Sequence, residues 1–426
     1  MSTPPKYADI QWYNVLGLVL RAIPLPAVLL WTALLGRHAK TSKGRSLKRV
    51  IGERAFRYAI TNFNLAQLQF ASGTAQAVYA KWTKQVKLAP VVDELGDGAR
   101  LLWIGPKRTD RVLLYLPGGC FVLPPTDYSL DLWRHVQLEL EKKDIQIGVA
   151  VLEYTLAPVA SFPTPLQQAC LALKFLFAEK LLPENLCIIG DSAGANLALQ
   201  LMSQMLHPQD TVPEARPPAA IGGLCLISPW ASLTTDSKSC AEFDGIDIMT
   251  PTVLATAGAL ILSGFPAAAA TFAEPAKAPD TWFQGIDGLV RRVLVTAGSN
   301  ECMRDDILQV GDRLKRHHRS VEVVVQDEGL HDDMLLDFMV KEKTLGSLTP
   351  LVIKWLATTG TSANEQRRIA VEKQCSASDT VPGRAAYAEQ VRLWNASFSA
   401  NAREINLKTT GGYPPAAPCT LDNRDQ

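Results

Sequence analysis

One stretch limits what this chain can fold into more than any other: LCIIGDSAGANLALQLM, residues 186–202. A short apolar run enters Gly190-Asp191-Ser192-Ala193-Gly194 and leaves as a helix-length segment. The apolar run reads as a buried strand and the segment after it as a helix. A tight turn between the two, with small residues on either side of one serine, lifts that hydroxyl above the end of a sheet. Only small neighbours let the two backbones approach. The hydroxyl then stands at a helix N-terminus, where partial positive charge gathers.

The surroundings repeat the same unit. RVLLYLP precedes a helix from Asp127, and IGVAVLEY precedes one from Thr164. IGGLCLIS, RRVLVTAG and VEVVVQDE supply three more buried-strand candidates. This alternation predicts an α/β chain with a mostly parallel central sheet flanked by helices. Between Ser232 and Gly288 it stops, and the apolar TVLATAGALILSGFPAAAATF reads as helical, an insertion suited to a lid. Residues 41–85 carry helical spacing, and two short strands are expected near PVVDEL and ARLLWIG. After Ala357 the chain turns polar, with a helix expected over 385–398 and a Gly/Pro-rich tail. The predicted organisation is a helical segment over 1–85, a core over 86–357 with a cap at 232–288, and an extension over 358–426.

The 426 residues, 47% of them hydrophobic, suffice for a large core, and a net charge of +1 argues against nucleic acid as a partner. Eight cysteines show no zinc-ligand spacing and read as reduced thiols. With no P-loop, no strand-linked G-x-G-x-x-G and no H-E-x-x-H, no cofactor or metal is expected. Residues 14–36 are apolar but hold Arg21, Pro24 and Pro26. They read either as a membrane anchor or interfacial hairpin, or as a buried helix pair covering the site. Basic residues follow (Arg37, Lys40, Lys43, Arg45, Lys48, Arg49), which would keep the body of a spanning chain on the cytosolic side.

A serine hydroxyl needs a base to become a nucleophile. Of six histidines, His331 follows VEVVVQDEGL, after the last strand, where such a base belongs. His317 and His318 end a basic helix and read as solvated surface. The base needs an acid to fix its tautomer. Glu301 is the first carboxylate after RRVLVTAG, with Asp305 as the second choice. The developing oxyanion needs N–H donors, expected from Ala193 and from Gly118 and Gly119 in the Pro117-Gly118-Gly119-Cys120 loop. Cys120 offers a further peptide N–H.

Taken together these segments resemble the hormone-sensitive-lipase-like branch of the α/β hydrolases, which includes arylacetamide and steryl-acetate deacetylases. The resemblance covers about residues 100–355: GDSAG at 190–194, Tyr154-Thr155-Leu156-Ala157-Pro158 with Phe162-Pro163, Ser228-Pro229-Trp230, and Glu301 ahead of Arg304-Asp305-Asp306. Two features depart from the pattern. The family's HGGG reads Pro117-Gly118-Gly119-Cys120, and its usual Asp is Glu301. The cast looks most like fungal members. The resemblance implies an α/β-hydrolase fold with a helical cap. It also implies an esterase or deacetylase acting on a short acyl ester of an apolar small molecule, such as a sterol or secondary metabolite. The body would face the cytosol, in the cytoplasm or at the endoplasmic reticulum. Two other uses of the same site stay open: a biosynthetic acyltransferase or polyketide-release enzyme, and a non-catalytic receptor.

Overall fold

The structure, a computed structural model, describes residues 6–35 and 45–359. Its centre is an eight-stranded sheet in the order β1-β2-β4-β3-β5-β6-β7-β8. The strands are β1 (Val92–Gly96), β2 (Ala99–Ile104), β3 (Val112–Leu116), β4 (Gly148–Glu153), β5 (Leu186–Asp191), β6 (Gly223–Ile227), β7 (Val293–Gly298) and β8 (Val321–Gln326). Strands β3 to β8 pair in parallel, whereas β2 runs antiparallel to both β1 and β4. The parallel part is the region whose βα alternation is visible in the sequence. The edge pair reverses because β1 and β2 are joined by a tight turn rather than by a helix.

Successive strand residues enter two separate cores. Val112, Leu114 and Leu116 of β3 point to one face, and Leu113 and Tyr115 point to the other. This is the two-residue period of a strand buried on both sides. The first face packs against α7 (Thr164–Ala178), α8 (Ser192–Leu206) and α12 (Arg304–His317). The second packs against α5 (Ala75–Val86), α6 (Asp127–Glu141), α13 (Asp333–Met339) and α14 (Leu348–Ala357). Strand β8 lies at the edge and is only partly buried, in keeping with its Glu322 and Gln326.

Ahead of the sheet stand α1 (Trp12–Ala22), α2 (Leu25–Leu35), α3 (Leu47–Asn62) and α4 (Leu65–Ser72). The helical stretch expected over 41–85 is therefore three helices. Asn64 starts α4 with a capping box to Gln67, and the Thr74 hydroxyl caps α5. Helix α1 rests on α4, and α2 on α3. The contact is polar as well as apolar: Arg21 donates to Gln67 at 3.0 Å, and Gln67 donates to the Asn14 carbonyl at 2.8 Å. No residue of α1 or α2 is buried, so these two are not a buried pair over the site. Residues Trp12–Leu35 are long and apolar enough to cross a membrane, by length and composition.

Between β6 and β7 the chain forms α9 (Lys238–Glu242), α10 (Pro251–Leu262) and α11 (Ala270–Ala273). The apolar stretch expected as one helix stops at Leu262, just before Gly264 and Pro266, residues poorly suited to a helix interior. The described cysteines, Cys120, Cys170, Cys187, Cys225, Cys240 and Cys302, form no disulfide. Cys375, Cys419, the expected helix over 385–398, the Asn395 sequon and the tail lie outside the described residues.

Two local expectations are corrected. His318 is buried, its ring bonded to the Val290 carbonyl and the Ser320 N–H, so it supports the β7–β8 edge instead of facing solvent. Arg49 is no membrane-facing flank. It is buried in an ion-pair network with Glu53, Asp333 and Asp337. Arg37, Lys40 and Lys43 lie outside the described residues.

Candidate active site

Ser192 opens α8 directly after β5, with φ at 50°, in the left-handed region. The need for glycine on both sides is steric. A Cβ on Gly194 would fall 1.9 Å from the Leu116 carbonyl oxygen, and one on Gly190 would fall 2.3 Å from the Gly194 carbonyl oxygen. Three loops at the C-terminal ends of β5, β7 and β8 then bring Ser192, Glu301 and His331 together. The Ser192 Oγ lies 3.0 Å from His331 Nε2, and His331 Nδ1 lies 2.7 Å from Glu301 Oε1. All three side chains are buried. The second Glu301 oxygen accepts the Ser228 hydroxyl at 3.0 Å and the Gly298 N–H at 2.8 Å. The glutamate is thus fixed with one oxygen turned to the ring. Asp305 is engaged elsewhere, accepting the Ser239 N–H at 3.0 Å.

The three residues expected to donate to an oxyanion do not stand alike. The Gly118 N–H is taken, donating to Asp191 Oδ1 at 3.0 Å. This corrects the expectation for Gly118, which instead ties the loop to the elbow. Gly119 (φ 111°) and Cys120 (φ 55°) turn through left-handed conformations, and among the described residues neither N–H has a protein acceptor. Ala193 lies in the first turn of α8, where an N–H has no intrahelical acceptor. The free donors around the Ser192 hydroxyl are therefore Gly119, Cys120 and Ala193.

Sequence reasoning did not single out Asp247 or Asp332. Asp247, in the cap, accepts the His331 N–H at 2.9 Å with one oxygen and the Cys302 N–H at 2.8 Å with the other. It binds the histidine loop to the acid loop, and burial pushes its carboxyl up to about 6. Asp332 follows His331 with φ at 51°, and its Oδ2 lies 3.2 Å from the same Nε2 that meets Ser192. Burial pushes this carboxyl well above the usual range, as do the neighbouring Asp191, Glu301 and Asp247 charges. Burial alone would lower the His331 imidazole, but Asp332, Glu301 and Asp247 outweigh it and push it up to about 10. At this distance the carboxyl stabilises an imidazolium at Nε2.

A cavity of about 540 Å³ opens above Ser192 and His331. Its walls are mostly apolar, with Phe56, Ile60 and Leu65 from α3 and α4 facing Val253, Ala257 and Leu260 of α10. That size and lining suit a drug-sized apolar ligand. Among the described residues no cluster of His, Cys, Asp and Glu is arranged to hold a metal ion.

Residues 113–335 match the family model of the α/β-hydrolase fold, and the chain belongs to that family. The family expected from the motifs is the family found. The chain is 32% identical over 138 residues to an acetyl-hydrolase of Streptomyces hygroscopicus, covering 32% of this chain and 42% of that protein. It is 28% identical over 196 residues to an esterase of Acinetobacter venetianus, covering 46% and 58%. The matched stretches thus span about half the length of those relatives. Among solved structures, an esterase of the bacterial hormone-sensitive lipase family superposes with a TM-score of 0.54 at 20% identity. That match covers 80% of this chain and 99% of the other, and it speaks for the fold.

Proposed function

We propose that this chain is a serine carboxylic ester hydrolase, an esterase or deacetylase, acting on a short acyl ester of an apolar small molecule. One observation carries the reading: the unbroken chain of contacts from Ser192 Oγ through His331 Nε2 and Nδ1 to Glu301 Oε1, at 3.0 and 2.7 Å, under an apolar cavity. Neutral His331 takes the Ser192 proton as Oγ attacks the ester carbonyl. Glu301 holds the tautomer and stabilises the imidazolium that forms. The N–H groups of Gly119, Cys120 and Ala193 receive the oxyanion. The imidazolium then protonates the leaving alcohol, and water, activated by the same histidine, cleaves the acyl-enzyme.

The names of the relatives, an acetyl-hydrolase and an esterase, support ester chemistry with a small acyl group. The apolar walls support an apolar alcohol part, such as a sterol or secondary metabolite. We also assign α1 and α2 to a membrane surface, with the body facing the cytosol at the endoplasmic reticulum. Their exposed Trp12, Leu20, Trp31 and Leu34 support this reading.

The test is a series of p-nitrophenyl esters of increasing acyl length, assayed on the full chain and on Ser192→Ala. The full chain should prefer short acyl groups. The variant should lose at least ~10³-fold in kcat. Esterase activity retained by Ser192→Ala would reject the reading.

A further inference from the structure

Asp332 is expensive in two ways. Its φ of 51° lies in the left-handed region, where glycine is the unstrained choice. Its carboxyl is also largely withdrawn from water, among Asp191, Glu301 and Asp247. The fold does hold the residue in place, since its N–H donates to the Ser228 hydroxyl at 3.2 Å and it starts α13. That bond uses only the backbone, however, and a glycine could make it too. Strain and a buried acid at one position point to a role outside folding.

The side chain is also the underused acid of the cavity. Asp191, the other carboxylate lining it, accepts the Gly118 N–H. Among the described residues the Asp332 carboxyl meets only His331 Nε2, through Oδ2, and its buried Oδ1 has no hydrogen-bond partner. Its side chain is 13% exposed against 4% for His331, so it reaches the cavity more than the base does. A carboxyl rotates with two-fold symmetry, so either oxygen can be presented. Nε2 is the atom that returns a proton to the departing alcohol. Whatever sits beside that alcohol therefore sits beside Asp332.

We propose that the Asp332 carboxyl is a subsite for a hydrogen-bond donor on the alcohol part of the substrate, a hydroxyl or protonated amine on the carbon next to the ester-bearing carbon. The substrate class is then a monoester of a vicinal diol or amino alcohol on an otherwise apolar frame. This rests on the esterase reading and narrows it. A site built to pair with such a group discriminates against an analogue lacking it, because the acid is then left unpaired.

The experiment measures kcat/KM on the full chain for cyclohexyl acetate, trans-2-hydroxycyclohexyl acetate and trans-2-(dimethylamino)cyclohexyl acetate. Wild type, Asp332→Gly and Asp332→Asn are compared by the ratio of each donor-bearing ester to the plain one. Glycine suits the backbone and removes the acid; asparagine keeps an acceptor and removes the charge. In the wild type at least one ratio should exceed its value in Asp332→Gly by ~10-fold or more. If the natural donor is a hydroxyl, Asp332→Asn keeps part of the preference; if an amine, it loses it. Equal ratios in the wild type and both variants would overturn the proposal and leave the esterase reading intact. So would a wild type indifferent to both donors, even if a variant does not fold. No turnover of any ester would remove the esterase reading, and the subsite with it.

Discussion

A neutral imidazole can take the Ser192 proton and an imidazolium cannot, yet the surroundings of His331 favour the imidazolium. Glu301 faces its Nδ1, Asp332 its Nε2, Asp247 its backbone N–H, and Asp191 lies on the elbow beside it. The imidazole is pushed up to about 10, so the base is charged below that pH and freed as pH rises through it. The acid limb of kcat/KM should therefore lie well above the ordinary histidine value of about 6.5. Asp332→Asn should move it down. A limb at or below that value, unmoved by the substitution, would contradict the electrostatics. Glu301→Gln should keep the geometry and lose about 10⁴-fold in kcat, because an amide can hold the wrong tautomer. Ser192, His331 and Glu301 are legible in sequence because each directly follows, or closely trails, a recognisable strand. Asp332 and Asp247 are not. Neither belongs to a recognisable motif, and only the folded chain brings Asp332 to the ring and Asp247 to the histidine's backbone N–H. Gly118 was misread for a similar reason: its loop is visible in sequence, but the direction of each N–H is not.

At the scale of elements, α3 holds the site from outside the sheet. Its Arg49 reaches Asp333 at 2.9 Å and also Asp337, both on the helix after His331. Its Arg57 donates to the carbonyls of Asp247 and Met249 at 2.5 and 2.9 Å. One helix thus ties the histidine loop to the cap. Arg49→Met leaves buried carboxylates unpaired and should cost about 3–5 kcal/mol, read from urea unfolding. An unchanged midpoint would show that the network does not stabilise the fold. Helices α1 and α2 make the opposite case, since most of their large apolar side chains remain exposed. The full chain should float with phospholipid vesicles, and a form lacking residues 1–40 should stay in the aqueous fraction. Equal partitioning of both would remove the membrane assignment. The helical character of 41–85 is legible from its spacing. Its division at Asn64 and Thr74 depends on side-chain caps that also occur inside continuous helices.

For the whole molecule, the parallel sheet is the best-read feature, because strands buried on both faces leave uninterrupted apolar runs such as LCIIG and VLVTAG. The reversed β2 is not legible, since a parallel and an antiparallel buried strand of six residues look alike in sequence. The apolar N-terminus can be read two ways from hydropathy, and the fold removes the buried-pair reading by leaving α1 and α2 outside and using α3 and α4 as walls of the cavity. The architecture thus serves one end: the sheet raises a hydroxyl, two later loops bring an acid and a base to it, and helices from ahead of the sheet and from between β6 and β7 enclose an apolar space above. The most direct measurement is peptide mapping by mass spectrometry after the folded full chain reacts with a fluorophosphonate. The account predicts a single adduct on Ser192, formed far more slowly in His331→Asn. No adduct on Ser192, or labelling that ignores the loss of His331, would contradict it.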